Sequence, residues 1–407
     1  MKEITGGVCA PRGFLAGGIR CGIKASSQKN DLALIYSQKP CNAAAVFTAN
    51  KVRAASVQVS QEHVASGKLR AIIANSGNAN ACTGQAGMDA ARRMAQLAAG
   101  VLSVSPEEVA VASTGVIGVP LPIAAIENGI GALKESLRGD EQGHTAALEA
   151  IMTTDTRKKE IAVETEIDGK PVRIGAMAKG SGMIHPNMAT MLAFITTDAA
   201  IIPSALDSCL RRAVARSFNR LTVDGDTSTN DMVVIMANGE AGNTPITAGS
   251  ADYEVFREAL EKVCVALTRA MARDGEGATK LVTVTVTEAE NENTAETLAK
   301  SIASSSLVKA ACFGADANWG RVLCAMGYAG VDFDPDKTSV SFKSSSGQIQ
   351  VCKNGEPVSF SEEKAKSVLS EEEIEILVSI AQGKDAASVW GCDLTYDYVK
   401  INGDYRS

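Results

Sequence analysis

The loop that ends at Thr190 has the residue types needed for nucleophilic chemistry. In the stretch from Lys179 to Leu192, two glycines flank a serine, and a proline follows a histidine. Glycine permits close backbone approach and proline disfavours helix at the residue before it, so the sequence predicts a shaped loop. An apolar run of strand length begins at Met191. Thr190 is therefore predicted to lie at the start of a strand.

Spacing leaves two interpretations of Thr190 open. In the first, it simply begins the strand, as β-branched threonine often does. In the second, its hydroxyl attacks the carbonyl carbon of Ala189, and the chain is cut between these two residues. The α-amine released by the cut would then accept the proton of the same hydroxyl. An α-amine titrates near ~8, so it can act as a base at working pH, which an amide nitrogen cannot.

Composition limits the classes of function. The 407 residues are 45% hydrophobic and 21% charged, which is ordinary for a globular protein with a large core. The net charge of −7 gives no basic footprint for nucleic acid. No uncharged apolar stretch reaches the roughly 20 residues that span a membrane. The length predicts two or three domains.

The ten cysteines are predicted to be reduced thiols. The chain begins without an apolar signal core, so we expect a cytoplasmic protein. The cysteines never approach CxxC spacing and there are only three histidines, so no zinc site is expected. The acidic stretch from Asp224 to Asp231 lacks the glycine and glutamate of a calcium loop. It is predicted to be a polar loop that braces the site.

Strand, polar loop and helix recur along the chain, which predicts a mixed α/β fold. A hairpin is predicted around Asp168 and Gly169, with strands over 158–167 and 170–178. Other strands are predicted at 32–36, 44–47, 55–59, 69–74, 109–112, 281–286, 338–343, 348–353 and 393–401. Helices are predicted over 85–102, 122–137, 143–152, 204–219, 252–273, 294–311 and 370–382.

Six further stretches, in one order along the whole chain, carry a resemblance to a known family. They are Gly6–Phe14, Asn75–Asn80, Ser113–Gly118, Met152–Thr156, Asp224–Asp231 and Asn402–Ser407. Together with the loop from Lys179 to Leu192, they resemble the ornithine acetyltransferase family, the self-cleaving enzymes of arginine biosynthesis. The tail departs from the family pattern, because Gly403 replaces the usual alanine and Ser407 the usual threonine. Hydroxyl chemistry is kept, but the tail gains freedom.

The resemblance implies an N-terminal-nucleophile-like self-processing fold with layered sheets flanked by helices. The predicted division is a nucleophile-bearing α/β core over 1–198, an α/β subdomain over 199–283, and a smaller C-terminal α/β domain over 284–407. The cut before Thr190 would give an α chain of residues 1–189 and a β chain of residues 190–407. The family also implies that two cleaved protomers assemble as a heterotetramer.

The activity implied by the resemblance is acetyl transfer from N2-acetyl-L-ornithine to L-glutamate through an acetyl ester on Thr190, with no cofactor. Thr114 and Gly115 would hold the oxyanion. Lys179 would attract an α-carboxylate and Glu276 the side-chain ammonium of ornithine. The other substrate contacts implied are Thr153, Asn402 and Ser407, with Thr190 itself. The sequence does not decide which hydroxyl of Thr153, Thr154 and Thr156 is used.

Two other functions stay open. One is an N-terminal-nucleophile aminopeptidase or amidohydrolase, in which water takes the acyl group. The other is an uncleaved protein that binds amino acids. Lys179 together with Glu276 favours an amino-acid acceptor. Acetyl-CoA could be a second donor, because its binding does not require the phosphate-cradling GxxxxGK loop that this chain lacks.

Overall fold

The structure, a computed structural model, describes residues 1–24, 27–185 and 191–404. The predicted cleavage residues Ala189 and Thr190, and the predicted tail contact Ser407, lie outside the described residues. Within those ranges the chain forms two β-sheets with α-helices packed against them. The predicted mixed α/β class, with layered sheets flanked by helices, is confirmed.

The strands are, in chain order, β1 (Lys2–Ile4), β2 (Phe14–Ile19), β3 (Leu32–Phe47), β4 (Lys68–Asn78), β5 (Val109–Val116), β6 (Lys159–Ile167), β7 (Lys170–Lys179), β8 (Leu192–Thr197), β9 (Met232–Ala237), β10 (Leu281–Ala289), β11 (Ser339–Ser344), β12 (Gly347–Lys353), β13 (Glu356–Pro357), β14 (Glu373–Ser379) and β15 (Asp385–Cys392). The helices are α1 (Ala55–Val64), α2 (Gly84–Leu102), α3 (Ile123–Glu135), α4 (Glu141–Ile151), α5 (Pro203–Ala215), α6 (Ala251–Arg273), α7 (Glu292–Ser304), α8 (Ser306–Phe313), α9 (Trp319–Gly327), α10 (Glu362–Leu369) and α11 (Tyr396–Asp404).

The larger sheet has the strand order β1-β6-β7-β8-β9-β3-β4-β5, with β2 paired to β3. The hairpin of β6 and β7 turns at Asp168 and Gly169, whose φ angles are +52° and +65°. Aspartate followed by glycine accepts such angles at low cost, so the predicted hairpin is confirmed. Strand β8 lies between β7 and β9. It pairs antiparallel with β7 and parallel with β9.

Helices cover both faces of the larger sheet. Side chains of β8 alternate, so that Ile195 packs in one core with α5 and α6 while Phe194 packs in another with α4. Every residue of β8 and β9 is buried, and only Thr196 and Thr197 among them are polar, as expected for strands covered on both faces. A third cluster packs α1, α2 and α3 over β4 and β5.

The smaller sheet has the strand order β13-β12-β11-β14-β10-β15. Its core includes residues of α7, α8, α9 and α10. Strand β10 follows α6 in the chain, and its first residue, Leu281, packs in the same core as α5 and α6. Strands β1–β9 thus lie in the first 237 residues and β10–β15 after residue 280. The predicted limits at 198 and 283 stay a prediction, because strand pairing does not by itself define domains.

Three local predictions were wrong. Residues 55–59 begin helix α1, whose buried residues pack over the sheet despite their strand-like alternation. Residues 370–382 contain strand β14, because alternating Ile374, Ile376 and Val378 face a core and the acidic residues before them only resemble a helix start. Residues 393–401 are mostly helix α11, since the Asp393 carboxylate turns back to accept the N–H of Thr279 and Lys280.

Two further predictions were wrong about continuity. The strands predicted at 32–36 and 44–47 are parts of the single 16-residue strand β3. The helix predicted over 294–311 is divided into α7 and α8 at Ser305, whose hydroxyl accepts the N–H of Val308 and so caps the second helix.

A buried lysine ties the end of α6 to the start of β6. The Lys159 ammonium lies 2.5 Å from a carboxylate oxygen of Asp155 and 2.5 Å from one of Asp274. All three side chains are at most 3% exposed. Asp274 directly follows α6 and also accepts the N–H of Thr156 and Arg157. This junction therefore fixes the α4–β6 loop against the end of α6.

We expect Lys159→Met to destabilise the protein by about 3–5 kcal/mol, because two buried carboxylates would lose their shared cation. Denaturant unfolding measures the change. Lys2→Met is the control, since Lys2 is 70% exposed in its pair with Glu164 and such pairs contribute at most about 1 kcal/mol. Equal losses for the two variants would contradict a structural role for the buried pair.

Candidate active site

One cavity of about 80 Å³ lies where several element ends meet. Its walls come from the ends of β5 and β7, the α4–β6 loop, the turn after α6, and α11. All six predicted site residues that the structure describes line it: Thr114, Gly115, Thr153, Lys179, Glu276 and Asn402. The structure thus brings together residues up to 288 positions apart in the chain (402 − 114). Their individual roles stay predictions.

Gly115 occupies a position that a side chain cannot take. Its φ is +134°, and a Cβ atom there would lie 2.4 Å from the carbonyl carbon of Gly77 and 2.5 Å from the nitrogen of Asn78. The parallel ladder of β4 and β5 is irregular at this point. Thr114 and Gly115 both line the cavity, where the sequence predicts that they hold an oxyanion.

Lys179 is a nearly buried ammonium at the end of β7. The residue is 4% exposed, and its Nζ lies 3.4 Å from the hydroxyl oxygen of Thr114. Burial lowers the pKa of Lys179, whereas the carboxylates of Asp155, Glu276 and Asp231 act against that shift. An ammonium with so little hydration gains most from an anionic ligand. The cavity therefore suits a carboxylate.

Glu276 also lines the cavity and is held by three hydrogen bonds. Its N–H donates to the carbonyl of Ser181 at 2.8 Å, and its carboxylate accepts from the Thr154 hydroxyl at 2.8 Å. The Asn402 amide donates to the other carboxylate oxygen at 2.9 Å. A Cβ atom on Gly182 would lie 2.3 Å from that oxygen, so the second glycine of the loop makes room for Glu276.

The three threonines after α4 differ in their surroundings. Thr153 and Thr154 line the cavity. The Thr156 hydroxyl instead donates to Asp274, at the buried junction with Lys159. Sequence reasoning missed Asp155, which stands inside this cluster. A carboxylate between threonines was the available signal, but its partners lie elsewhere in the chain.

The chain on the carboxyl side of Thr190 is fixed beside Lys179. Leu192, the first residue of β8, is the Cα partner of Lys179. The N–H of Met191 donates to the Asp231 carboxylate at 2.9 Å. Asp231 is fully buried, and burial raises its pKa well above the usual value. These contacts place Met191 and Leu192 at the same end of the sheet as Lys179.

The polar stretch from Asp224 to Asp231 braces the site, as predicted. The Asp224 carboxylate accepts the N–H of Ile184 at 2.8 Å and of Met183 at 2.5 Å. Asn230 donates to the carbonyls of Ala79 and Ser113 at 2.6 Å and 2.7 Å. These bonds hold the loop that follows β7 and strand β5, which contains Thr114. Ser228, Thr229 and Asn230 also line the cavity, which the sequence had not indicated.

The described ranges contain no group of three or more His, Cys, Asp or Glu side chains placed to hold a metal ion. In the same ranges, none of the helices combines the length and the apolar character that crossing a bilayer requires. All ten cysteines are free thiols in the structure.

Comparisons with known proteins agree with the geometry. The model of the ArgJ family matches residues 15–407. The chain belongs to the ArgJ family. Arginine biosynthesis bifunctional protein ArgJ of Symbiobacterium thermophilum is 53% identical over 408 residues, covering 100% of both chains. The protein of that name from Caldanaerobacter subterraneus subsp. tengcongensis is 51% identical over 407 residues, again covering 100% of both.

A solved structure of an ArgJ-family protein is also similar. The crystal structure of arginine biosynthesis bifunctional protein ArgJ from Bacillus halodurans superposes with a TM-score of 0.50 and is 46% identical. The match covers 98% of that solved chain and 52% of this one. The resemblance to self-cleaving acetyltransferases of arginine biosynthesis thus leads to the same family as the whole-chain comparisons.

We expect Gly115→Ala to reduce acetyl transfer by at least about 100-fold, because the added Cβ forces β4 and β5 apart and displaces an oxyanion donor. Initial rates on folded protein measure the loss. Gly118→Ala is the matched control: its φ is also positive, +77°, but a Cβ there meets no atom within 4 Å. It should cost about 1–2 kcal/mol of stability and keep the activity. Equal losses of activity would contradict the clash argument.

Proposed function

We propose that this chain, an acyltransferase of arginine biosynthesis, moves the acetyl group of N2-acetyl-L-ornithine to L-glutamate through an ester on Thr190. The observation that carries the proposal is that Lys179 and Glu276 line one cavity, beside the strand that begins two residues after Thr190. A cation and a carboxylate in one small cavity match the α-carboxylate and the side-chain ammonium of ornithine.

Activation begins with a cut between Ala189 and Thr190. The Thr190 hydroxyl attacks the Ala189 carbonyl carbon, the peptide C–N bond breaks, and the nitrogen takes the hydroxyl proton to become an α-amine. Water then releases residue 189 from the ester. The length of the solved relative supports this cut: residues 190–407 are 218 of 407, about 54%, and that relative matches 52% of the chain over nearly all of its own length.

Transfer then proceeds in two steps at one site. The α-amine of Thr190 accepts the hydroxyl proton while the oxygen attacks the acetyl carbonyl, and Thr114 and Gly115 hold the oxyanion. Ornithine leaves with that proton on its amine, and the acetyl group stays on Thr190. The α-amine of glutamate attacks the ester next. N-acetylglutamate leaves, and the Thr190 oxygen regains a proton.

Substrate contacts follow from the charges of the cavity. Lys179 pairs with the α-carboxylate that both amino acids share, and Glu276 pairs with the ornithine ammonium. The family resemblance implies three further substrate contacts, which are Thr153, Asn402 and Ser407. The chemistry needs no bound cofactor. Relatives are named bifunctional, and the proposal takes acetyl-CoA as a second donor to the same threonine. It also includes a heterotetramer of two cleaved protomers acting in the cytoplasm.

We expect freshly made wild-type protein to separate into chains of 189 and 218 residues (407 − 189), and Thr190→Ala to stay full length without acetyl transfer. Loss of the hydroxyl removes both the cutting group and the acetyl carrier. Intact mass under denaturing conditions and an ornithine-release assay measure the two effects. Thr287→Ala, on strand β10 of the smaller sheet, is the control and should be cut normally.

The same samples separate the rival functions. Full-length wild-type protein with full transfer activity would refute the cut. Release of acetate at the same rate with and without glutamate would identify a hydrolase of the aminopeptidase type. An uncut chain that binds amino acids without turnover would identify a binding protein.

We expect Glu276→Gln to raise the KM for N2-acetyl-L-ornithine by about 4-fold to 12-fold, because a charge-assisted bond of roughly 1.5–3 kcal/mol becomes a neutral one about half as strong. Initial rates at varied donor concentration measure it. Glu240→Gln removes an exposed carboxylate outside the cavity and should leave the KM unchanged. An unchanged KM in Glu276→Gln would remove Glu276 from substrate recognition.

A further inference from the structure

One buried carboxylate joins the two sides of the cavity. The Asp155 side chain is fully buried and accepts the N–H of Thr153 at 3.0 Å and the N–H of Gly180 at 2.8 Å. Thr153 lines the cavity on one side, and Lys179, the residue before Gly180, lines it on another. The carboxylate also binds the Lys159 ammonium at 2.5 Å. Its hydrogen bonds therefore fix the backbone at two cavity residues at once.

Asp155 also dominates the charges around Lys179. Burial opposes the charged form of Lys179 and lowers its pKa; among the charged neighbours, Asp155 has the largest effect, and it acts in the opposite direction. Glu276 and Asp231 also favour the ammonium, whereas Lys159 disfavours it. Lys24 is a further nearby cation, and burial lowers its own pKa to about 8.

The effect is mutual. Burial alone would favour the neutral acid form of Asp155, but the positive charges of Lys179 and Lys159 lower its pKa overall. The aspartate is therefore ionised at every pH at which the enzyme would work. A fixed negative charge beside a buried ammonium favours the charged form of that ammonium while the cavity is empty.

We propose that Asp155 is a positioning residue of the acetyl-transfer site, acting through Lys179 and Thr153 without touching the acetyl group. This inference rests on the proposed role of Lys179 as the partner of the substrate α-carboxylate. Asp155 favours the charged form of the binding cation, and its hydrogen bonds tie the backbone beside Lys179 to the loop that carries Thr153. It thereby sets the affinity for both amino acids, because both have an α-carboxylate.

Asp274 provides a matched comparison. It binds the same Lys159 ammonium at 2.5 Å and is buried to a similar extent. Its remaining hydrogen bonds go to Thr156 and Arg157, neither of which lines the cavity. Replacing Asp155 or Asp274 by asparagine removes one charge from the same buried junction. Only the first change removes a charge and hydrogen bonds from the residues beside Lys179.

The experiment compares Asp155→Asn with Asp274→Asn, each introduced into the complete 407-residue chain and left to undergo the proposed cut. Intact mass gives the cleaved fraction, and kcat and KM per cleaved enzyme are measured for N2-acetyl-L-ornithine and glutamate over roughly pH 6 to 10. In Asp155→Asn we expect the alkaline limb of kcat/KM to move down by about one pH unit. The sign follows because Lys179, without its carboxylate neighbour, loses its proton at lower pH and then no longer binds a carboxylate.

The KM for both amino acids should accordingly rise about tenfold on the alkaline side in Asp155→Asn, with kcat changed less. Asp274→Asn should lower the thermal stability by about as much as Asp155→Asn does. The alkaline limb of kcat/KM and the KM of Asp274→Asn should stay as in the wild type. Equal KM and pH effects in the two variants would overturn the proposal, because a merely structural role predicts equality.

A second variant separates charge from position. Asp155→Glu keeps the charge but displaces the carboxylate, so we expect a raised KM with the alkaline limb unmoved; a wild-type KM would overturn the positioning role. This variant carries the test if Asp155→Asn does not fold. Calorimetric binding of L-glutamate to each variant needs no turnover. If wild-type protein binds glutamate but transfers no acetyl group, the proposed function fails, while the binding data still decide the role of Asp155.

Discussion

A lysine ammonium withdrawn from water is the interaction on which the rest of this site depends. Burying an unpaired charge costs several kcal/mol even after the protein relaxes, so Lys179 requires carboxylates around it. Asp155 is the most effective of these and is itself shared with Lys159, which in turn binds Asp274. These alternating positive and negative side chains hold four parts of the chain together: the α4–β6 loop, the start of β6, the end of β7 and the end of α6.

Strand register, and not these charges, fixes the position of β8. Leu192 pairs with Lys179 on one side and with Met232 on the other, so β8 is fixed between two neighbours. The N–H of Met191 is held by the Asp231 carboxylate. Backbone hydrogen bonds thus fix the strand that begins two residues after Thr190, the proposed nucleophile. In the proposed mechanism the cut changes covalent structure without changing this register.

The sequence predicted features that depend on local backbone chemistry. The turn at Asp168 and Gly169 is one, because its positive φ angles are tolerated by very few residue pairs. The sequence also indicated six residues of the cavity, through residue chemistry and the family resemblance. It could not indicate the role of Asp155, since the partners of that carboxylate include Gly180, and those of Lys159 include Asp274, 115 residues further on.

The wrong predictions have a related physical cause. Glu371 to Glu373 have the composition of a first helical turn, but pairing of β14 with β10 outweighs that local preference. Likewise, nothing near Gly182 in the chain explains why it must be glycine. The reason is the Glu276 carboxylate, which would lie 2.3 Å from a Cβ at that position. Tertiary contacts of this kind become visible only when distant elements are placed together.

The exchange reaction sets a final constraint on the cavity, because its two substrates have side chains of opposite charge. In the proposed mechanism Glu276 attracts the ammonium of ornithine but would repel the side-chain carboxylate of glutamate, so it cannot provide the binding that both substrates need. The α-carboxylate is the anionic group that both substrates share. Recognition in the proposed mechanism must therefore depend mainly on Lys179, and the groups that keep Lys179 charged matter for both half-reactions.

The hydroxyl groups beside Glu276 can then adapt the cavity to either substrate. Thr154 donates to Glu276 and lies 2.6 Å from the Ser181 hydroxyl oxygen, and either hydroxyl can be the donor in that contact. Hydroxyl groups rotate to donate or accept as a ligand requires. A carboxylate bordered by such groups and by the Asn402 amide can be partly neutralised by donated hydrogen bonds when glutamate is present. One cavity can thus accept a cationic and an anionic side chain in turn, provided that the shared carboxylate is held by a lysine whose charge does not change between the two steps.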